Sequence, residues 1–305
     1  MRAEKRMRII LVVITLFIPL PPIYALAQGR IWDDASGRKV VVPLNPRRIV
    51  SLAPSITENL FALGRGDNVV GVTDYCDFPP EALKKEKVGG GLNPSLEKIV
   101  SLKPDLVLGL LGVSSLRVVS SSERLGLPVY FLDSRGFHGV LKTLEELGRL
   151  TGTEEKATEL VNQIKARAQA VRELTKDRKR PRVLFLVWQE PLWTVGKDSF
   201  LNDLVEMAGG ASVTGDMKGE TAILSPEAVI ARAPEVILVS LASGVNQRQQ
   251  TLMSLARFNS VPAVKKGKVF VLDSAQLNRA SYRVAQGAEE LARIFHPELF
   301  AGYRK

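Results

Sequence analysis

Ser95-Leu96-Glu97-Lys98-Ile99, leading into Pro104-Asp105-Leu106-Val107-Leu108, returns as Ser225-Pro226-Glu227-Ala228-Val229, leading into Pro234-Glu235-Val236-Ile237-Leu238. The offset is a constant 130 residues. A second pair, Val129-Tyr130-Phe131-Leu132-Asp133-Ser134 and Val269-Phe270-Val271-Leu272-Asp273-Ser274, follows in the same order at an offset of 140. In the first pair Ser95 and Ser225 are good N-cap residues, so each copy reads as a capped helix feeding a short apolar strand. Two α/β lobes of one plan are expected in a single chain.

The rest of the chain fits that plan. Apolar runs at Ile49 to Leu52, Val69 to Val72, Leu106 to Leu108, Val129 to Leu132, Val183 to Val187, Val236 to Val239 and Val269 to Leu272 each end in a Gly, Ser, Asp or Pro cluster. Continuous rather than alternating apolarity is what strands buried on both faces of a parallel sheet require. An early hairpin is expected around Asp34-Ala35-Ser36-Gly37, where Gly37 can supply a positive φ. Between the lobes Thr153 caps a stretch with Glu154 and Glu155 in its first turn, where acids complement the helix dipole. Ala157, Leu160, Val161, Ile164, Ala168, Val171 and Leu174 then share one helical face. At 1.5 Å per residue this rod is about 33 Å long and stiffer than a loop connector, so limited closure is expected. The boundaries that follow are a leader at 1–27, an N-terminal lobe at 28–138, a connecting helical segment at 139–178 and a C-terminal lobe at 179–305.

The first eight residues carry Arg2, Lys5, Arg6 and Arg8 against Glu4, and precede the apolar run Ile9 to Leu20 and the small-x-small site Ala25-Leu26-Ala27. That is the layout of a secretory signal peptide, and the run is too short to span a bilayer as a helix. Residue 28 is Gln rather than Cys, so no lipid attachment is expected there, and a periplasmic location follows. The chain carries 42 Lys and Arg against 32 Asp and Glu. Its cations are dispersed, the densest cluster, Lys176 to Arg182, being interrupted by Asp177, and export argues further against a nucleic-acid partner. Cys76 is the one cysteine, so no internal disulfide can form and stability must come from the core.

No catalytic signature is present: G-x-S-x-G, H-E-x-x-H and the phosphate-binding G-x-x-x-x-G-K-[ST] are all missing. His138 and His296 are the only histidines and are far apart in sequence. His138 is expected to cap a helix beginning near Gly139, and His296, before Pro297, to lie at the surface. Ligands of open α/β sheets bind beyond the carboxyl ends of the strands. The first candidates are therefore Pro54, Ser55, Tyr75, Cys76, Leu110, Leu111 and Arg135, then Trp188, Trp193 and the loop Ser274 to Arg279. Tyr75 and Cys76 stand in the polar loop Thr73 to Asp77, which argues against core positions. The aromatics with Arg279 suit a large, partly apolar ligand with polar edges.

Three stretches, Arg47-Arg48-Ile49-Val50-Ser51-Leu52-Ala53-Pro54-Ser55-Ile56-Thr57-Glu58, Gly71-Val72-Thr73-Asp74-Tyr75-Cys76-Asp77-Phe78-Pro79-Pro80 and Leu96 to Val107, resemble the vitamin B12 and iron-siderophore class of periplasmic binding proteins. The resemblance covers roughly residues 38–295. It implies two α/β lobes joined by one long helix, no enzymatic activity, no cofactor, and a monomer that delivers its ligand to an ABC transporter permease dimer. Within that class the chain is most similar to cobalamin-binding members. Tyr75 then matches a pocket tyrosine, Trp188 and Trp193 fall near aromatic pocket positions, Leu110 stands where a tryptophan is expected, and Arg279 matches a pocket arginine. Two further departures are Gly89-Gly90-Gly91, where another tryptophan is expected, and Ala275, where an acid is expected. A haem or ferric-siderophore binder is the alternative within the class, and an exported two-domain enzyme the alternative outside it. The resemblance also gives Glu97 and Glu227 the task of engaging arginines of the two permease subunits. Two equivalent anchors on a pseudo-symmetric protein fit a symmetric dimer.

Overall fold

The structure is a computed structural model that describes residues 29–112, 125–241, 253–273 and 277–303, together with Ser121, Gln249 and Thr251. The leader expected at 1–27 and the departure at Ala275 lie outside the described residues. The chain opens with an antiparallel hairpin of β1 (Gly29–Asp33) and β2 (Lys39–Pro43), turned at Gly37 with φ of 80°. The first lobe then runs β3 (Ile49–Ser51), α1 (Pro54–Ala62), β4 (Val69–Val72), β5 (Glu86–Lys87), α2 (Leu96–Ser101), β6 (Leu106–Leu110) and β7 (Val129–Leu132). Its five strands form one sheet, all parallel, in the order β5-β4-β3-β6-β7. All four residues of β7 are buried, as both-face coverage of a parallel sheet demands.

The second lobe runs β8 (Arg182–Trp188), β9 (Leu192–Val195), α5 (Phe200–Met207), β10 (Ala211–Ser212), β11 (Thr221–Leu224), α6 (Pro226–Arg232), β12 (Val236–Leu241), α7 (Pro262–Lys265), β13 (Val269–Asp273) and α8 (Val284–Phe295). Here β8, β12 and β13 are parallel, while on the far side of β8 the sheet is extended by β9, antiparallel to β8, and then by β11, antiparallel to β9. The chain is therefore two α/β lobes with mainly parallel sheets. Between them lie two helices, α3 (Gly136–Thr151) and α4 (Glu154–Thr175), joined at Gly152 and Thr153 and packed on each other. The 22-residue rod read from the sequence is thus the second member of a pair.

The duplication extends into details of the backbone. Ser95 and Ser225 each accept a hydrogen bond from the amide three residues on, at Lys98 and Ala228. Both helices leave through a left-handed residue before proline, Lys103 with φ of 45° and Ala233 with φ of 39°. Asp105 then accepts from the Arg48 amide and Glu235 from the Arg182 amide, each at 3.0 Å. The guanidinium of Arg48 closes the carbonyl of Leu102, and that of Arg182 closes the carbonyl of Arg232. These donors satisfy carbonyls that the short helices leave open.

A Cβ on Gly148 would stand 2.5 Å from that of Ala157 where α3 meets α4, so Gly148→Val should lower stability by about 1–3 kcal/mol in urea denaturation; an unchanged midpoint would refute the close packing. Asp34, buried in the hairpin turn, accepts from the amides of Ser36 at 2.9 Å and Arg38 at 3.0 Å and pairs with the Arg38 guanidinium at 2.6 Å. Burial alone would raise its pKa, but the Ser36 and Arg38 donors outweigh it and hold the carboxyl below its ordinary value. Its contribution is therefore present above the unfolded pKa of about 3.9 and lost as pH falls through the folded value. Asp34→Asn should reduce stability at pH 7, with the deficit shrinking toward pH 3; a deficit independent of pH would contradict this.

Candidate functional site

Three strands of the first lobe deliver their carboxyl ends to one side. The chain leaves β3 through Leu52 into Pro54 of α1, leaves β4 through Thr73 and Tyr75, and ends β6 at Leu110. These residues, with Gly91 and Leu92, wall a cavity of about 300 Å³ whose remaining wall is Asn278 and Arg279, just beyond β13 of the second lobe. Tyr75 is 67% exposed, a large aromatic facing solvent. Gly91 brings backbone into the wall, and a Cβ there would approach the Leu52 carbonyl at 3.4 Å. The lining is mainly apolar with a few polar groups, the composition of a site for an organic ligand.

Across the foot of this cavity the lobes are tied by charge. Glu58, in α1, is fully buried, and both its oxygens are engaged by the second lobe. Oε1 accepts from Nη1 of Arg279 at 2.8 Å and from Nη2 of Arg283 at 2.7 Å. Oε2 accepts from Nε of Arg283 at 2.9 Å and from the Ser281 hydroxyl at 2.7 Å. The Arg283 fork is bidentate, the strongest geometry for such a pair. Beside it, Asn59 accepts the Tyr282 amide at 2.8 Å, and Arg283 stacks 4.0 Å from the Phe78 ring centre. The other guanidinium edge of Arg279 pairs with Asp77 at 2.6 Å. Burial works against the charge of Arg279, but Glu58 and Asp77 more than restore it and hold its proton above the ordinary arginine range.

The cavity thus brings together Tyr75, Leu110 and Arg279. Trp188 and Trp193 face one another across the β8–β9 hairpin, outside the cavity walls, with the Trp188 ring N–H donating to the Glu190 carbonyl at 2.9 Å. Arg135 pairs with Asp133 at 2.6 Å instead of entering the cavity. Glu97 and Glu227 are exposed in the first turns of α2 and α6, and neither takes part in an ion pair among the described residues. The Glu227 carboxyl is held below its ordinary value by its own backbone N–H and by Ser225.

Three expectations need correction. Cys76 is fully buried and belongs to the first lobe's core, within 3.2 Å of the hydroxyls of Thr57 and Thr73; the loop is polar, but two threonines give its sulfur an inward place. His296 is buried rather than superficial, its Nε2 3.4 Å from the Gly209 carbonyl, because the chain folds back over it after α8. His138 is the third residue of α3 rather than its cap, since the helix begins at Gly136 behind Arg135. His138 instead lines a larger hollow of about 570 Å³ between α3, α4 and α5. That hollow mixes Arg172, Lys176 and Arg180 with Asp203 and Glu206 and lies away from the strand ends, so the site is assigned to the smaller cavity. No group of acids, histidine and cysteine able to hold a metal occurs among the described residues. No described helix is long and apolar enough to cross a membrane.

Residues 49–276 match the periplasmic binding protein family, and the chain belongs to it. An ABC transporter substrate-binding lipoprotein of Bacillus subtilis is 32% identical, over 88% of this chain and 86% of that protein. A vitamin B12-binding protein of Vibrio cholerae is 26% identical, over 82% of this chain and 89% of that protein. Among solved structures, the periplasmic vitamin B12-binding protein of Vibrio cholerae superposes with a TM-score of 0.73 at 25% identity, covering 84% of this chain and 98% of that one. A periplasmic haem-binding protein of Roseiflexus gives the same TM-score at 27% identity, covering 83% and 99%.

The geometry of Glu58 predicts the effect of losing it. Glu58→Ala leaves Arg279 and Arg283 without their buried partner and should cost about 3–5 kcal/mol in chemical denaturation. A loss under about 1 kcal/mol would show that the lobes are not held by this contact.

Proposed function

We propose that the protein is the capture component of an importer for cobalamin or a related corrinoid, exported to the periplasm by the leader at residues 1–27 and carrying out no chemistry on its cargo. The observation that carries this reading is the cavity itself: Tyr75 and Leu110 from one lobe meet Arg279 from the other at the carboxyl ends of the strands. A volume of about 300 Å³ would hold one edge of a macrocycle. The remainder would extend past the cavity along the carboxyl ends of the second lobe's strands, where Trp188 closes β8 opposite Trp193 and would offer an aromatic face. The corrinoid assignment is favoured by the vitamin B12-binding relatives; the haem-binding neighbour makes haem and ferric siderophores the competitors to be tested.

Delivery is assigned to Glu97 and Glu227. Each sits at the second position of a serine-capped helix, and three residues on each helix exposes an apolar side chain, Val100 at 40% and Ile230 at 48%. A carboxylate with an apolar neighbour, repeated at the same offset on both lobes, suits a partner with two equivalent subunits that each present a cation.

Cyanocobalamin should bind with a Kd in the micromolar range or tighter, about −8 kcal/mol or more by calorimetry, and should quench tryptophan fluorescence. Silence with cyanocobalamin alongside saturable binding of haemin or a ferric siderophore would transfer the assignment to that ligand. The double variant Glu97→Ala with Glu227→Ala should abolish uptake while leaving the Kd unchanged; wild-type uptake would remove the docking role.

A further inference from the structure

Among the described residues, Arg279 is the one charged group lining the cavity, and it arrives there already paired. Glu58 holds it from below at 2.8 Å, and Asp77 holds its other edge at 2.6 Å. With Arg283 on the same Glu58, two guanidinium groups face two carboxylates and the set is neutral. The two acids have different situations. Glu58 is fully buried and joins the lobes, whereas the Asp77 side chain is 54% exposed, on the same loop as Tyr75, and covers the outward edge of Arg279.

We propose that Asp77 is a charge screen: it cancels the cation of Arg279 at the cavity wall, so that the site takes a chelate presenting an uncharged, amide-bearing edge there and disfavours one presenting a free carboxylate. A guanidinium has five N–H donors, and the described contacts of Arg279 use two nitrogens, Nη1 and Nη2. Donors remain for a neutral carbonyl. A ligand carboxylate placed at the same point would add a third negative charge to a set balanced at two, in a half-buried place where charges are weakly screened. Discrimination then works by an unbalanced charge presented to the wrong ligand rather than by a steric clash. The inference rests on the cavity being the ligand site.

The test compares haemin, whose edge carries two propionates, with cyanocobalamin, whose corrin edge carries amides. Each is titrated by absorbance at low and high salt against the wild type, Asp77→Asn and Asp77→Ala. Asp67→Asn, the same charge change before the amino end of β4, serves as control. Thermal midpoints establish that all variants are folded. Both Asp77 variants should bind haemin about tenfold more tightly than the wild type, with the gain shrinking at high salt. The Asp67 control should not, and cyanocobalamin affinity should stay within about twofold. Haemin affinity unchanged by either Asp77 variant, including the case in which none of the proteins binds haemin, would overturn the screen. So would an equal gain in the Asp67 control. Failure of cyanocobalamin to bind the wild type would count against the corrinoid assignment, while the haemin ratio between variant and wild type judges the screen separately.

Discussion

A carboxylate with no exposed surface, Glu58, is held by three side chains that all come from the other lobe. Taking such an ion out of water costs several kcal/mol, and the cost is offset only when its partners are in place with good geometry. Without this contact Glu58 would lose the Arg279, Ser281 and Arg283 side chains that hold it, and Arg279 would keep only Asp77 as its carboxylate partner. The charge therefore specifies how the lobes meet. Because Arg279 and Asn278 form the second lobe's part of the cavity wall, the same contact decides where that wall stands.

The duplicated plan explains the rest of the architecture. In both halves a serine-capped helix ends at a left-handed residue before proline, an acid downstream accepts an arginine amide, and that arginine's guanidinium closes the helix carbonyl. The halves diverge beyond the central strands. The first lobe continues parallel through β4 and β5, whereas the second turns back through β9 and β11 and so projects the hairpin that carries Trp188 and Trp193. One lobe supplies most of the apolar cavity wall and the other supplies Asn278 and Arg279. A pseudo-symmetric frame thereby yields an asymmetric cleft.

Much of the frame was legible in the sequence because its causes are local. The buried strands announced themselves as unbroken apolar runs, α4 by its spaced apolar face, and the first hairpin by Gly37. The antiparallel β9 and β11 were not, since Leu192-Trp193-Thr194-Val195 and Thr221-Ala222-Ile223-Leu224 are short and their pairing depends on residues far away. Of the candidate site residues, Tyr75, Leu110 and Arg279 line one cavity, and the rule that ligands bind beyond strand ends is what pointed to them. Glu58 was not singled out as a site residue, although it closes the quoted run Arg47 to Glu58. An acid among apolar residues in a helix signals a buried partner only when that partner is known, and here it lies more than 200 residues away. Cys76 and His296 were misplaced because a polar loop and a proline near the chain end say little about burial: Cys76 turns inward to the hydroxyls of Thr57 and Thr73, and His296 lies against the Gly209 carbonyl.

The most direct measurement is a crystal structure of the protein grown with cyanocobalamin. The corrin should be seated between Tyr75 and Arg279, with both lobes in contact and the Glu58 pairs intact. Corrin density confined to one lobe, or lodged in the hollow beside Arg172, would contradict this arrangement.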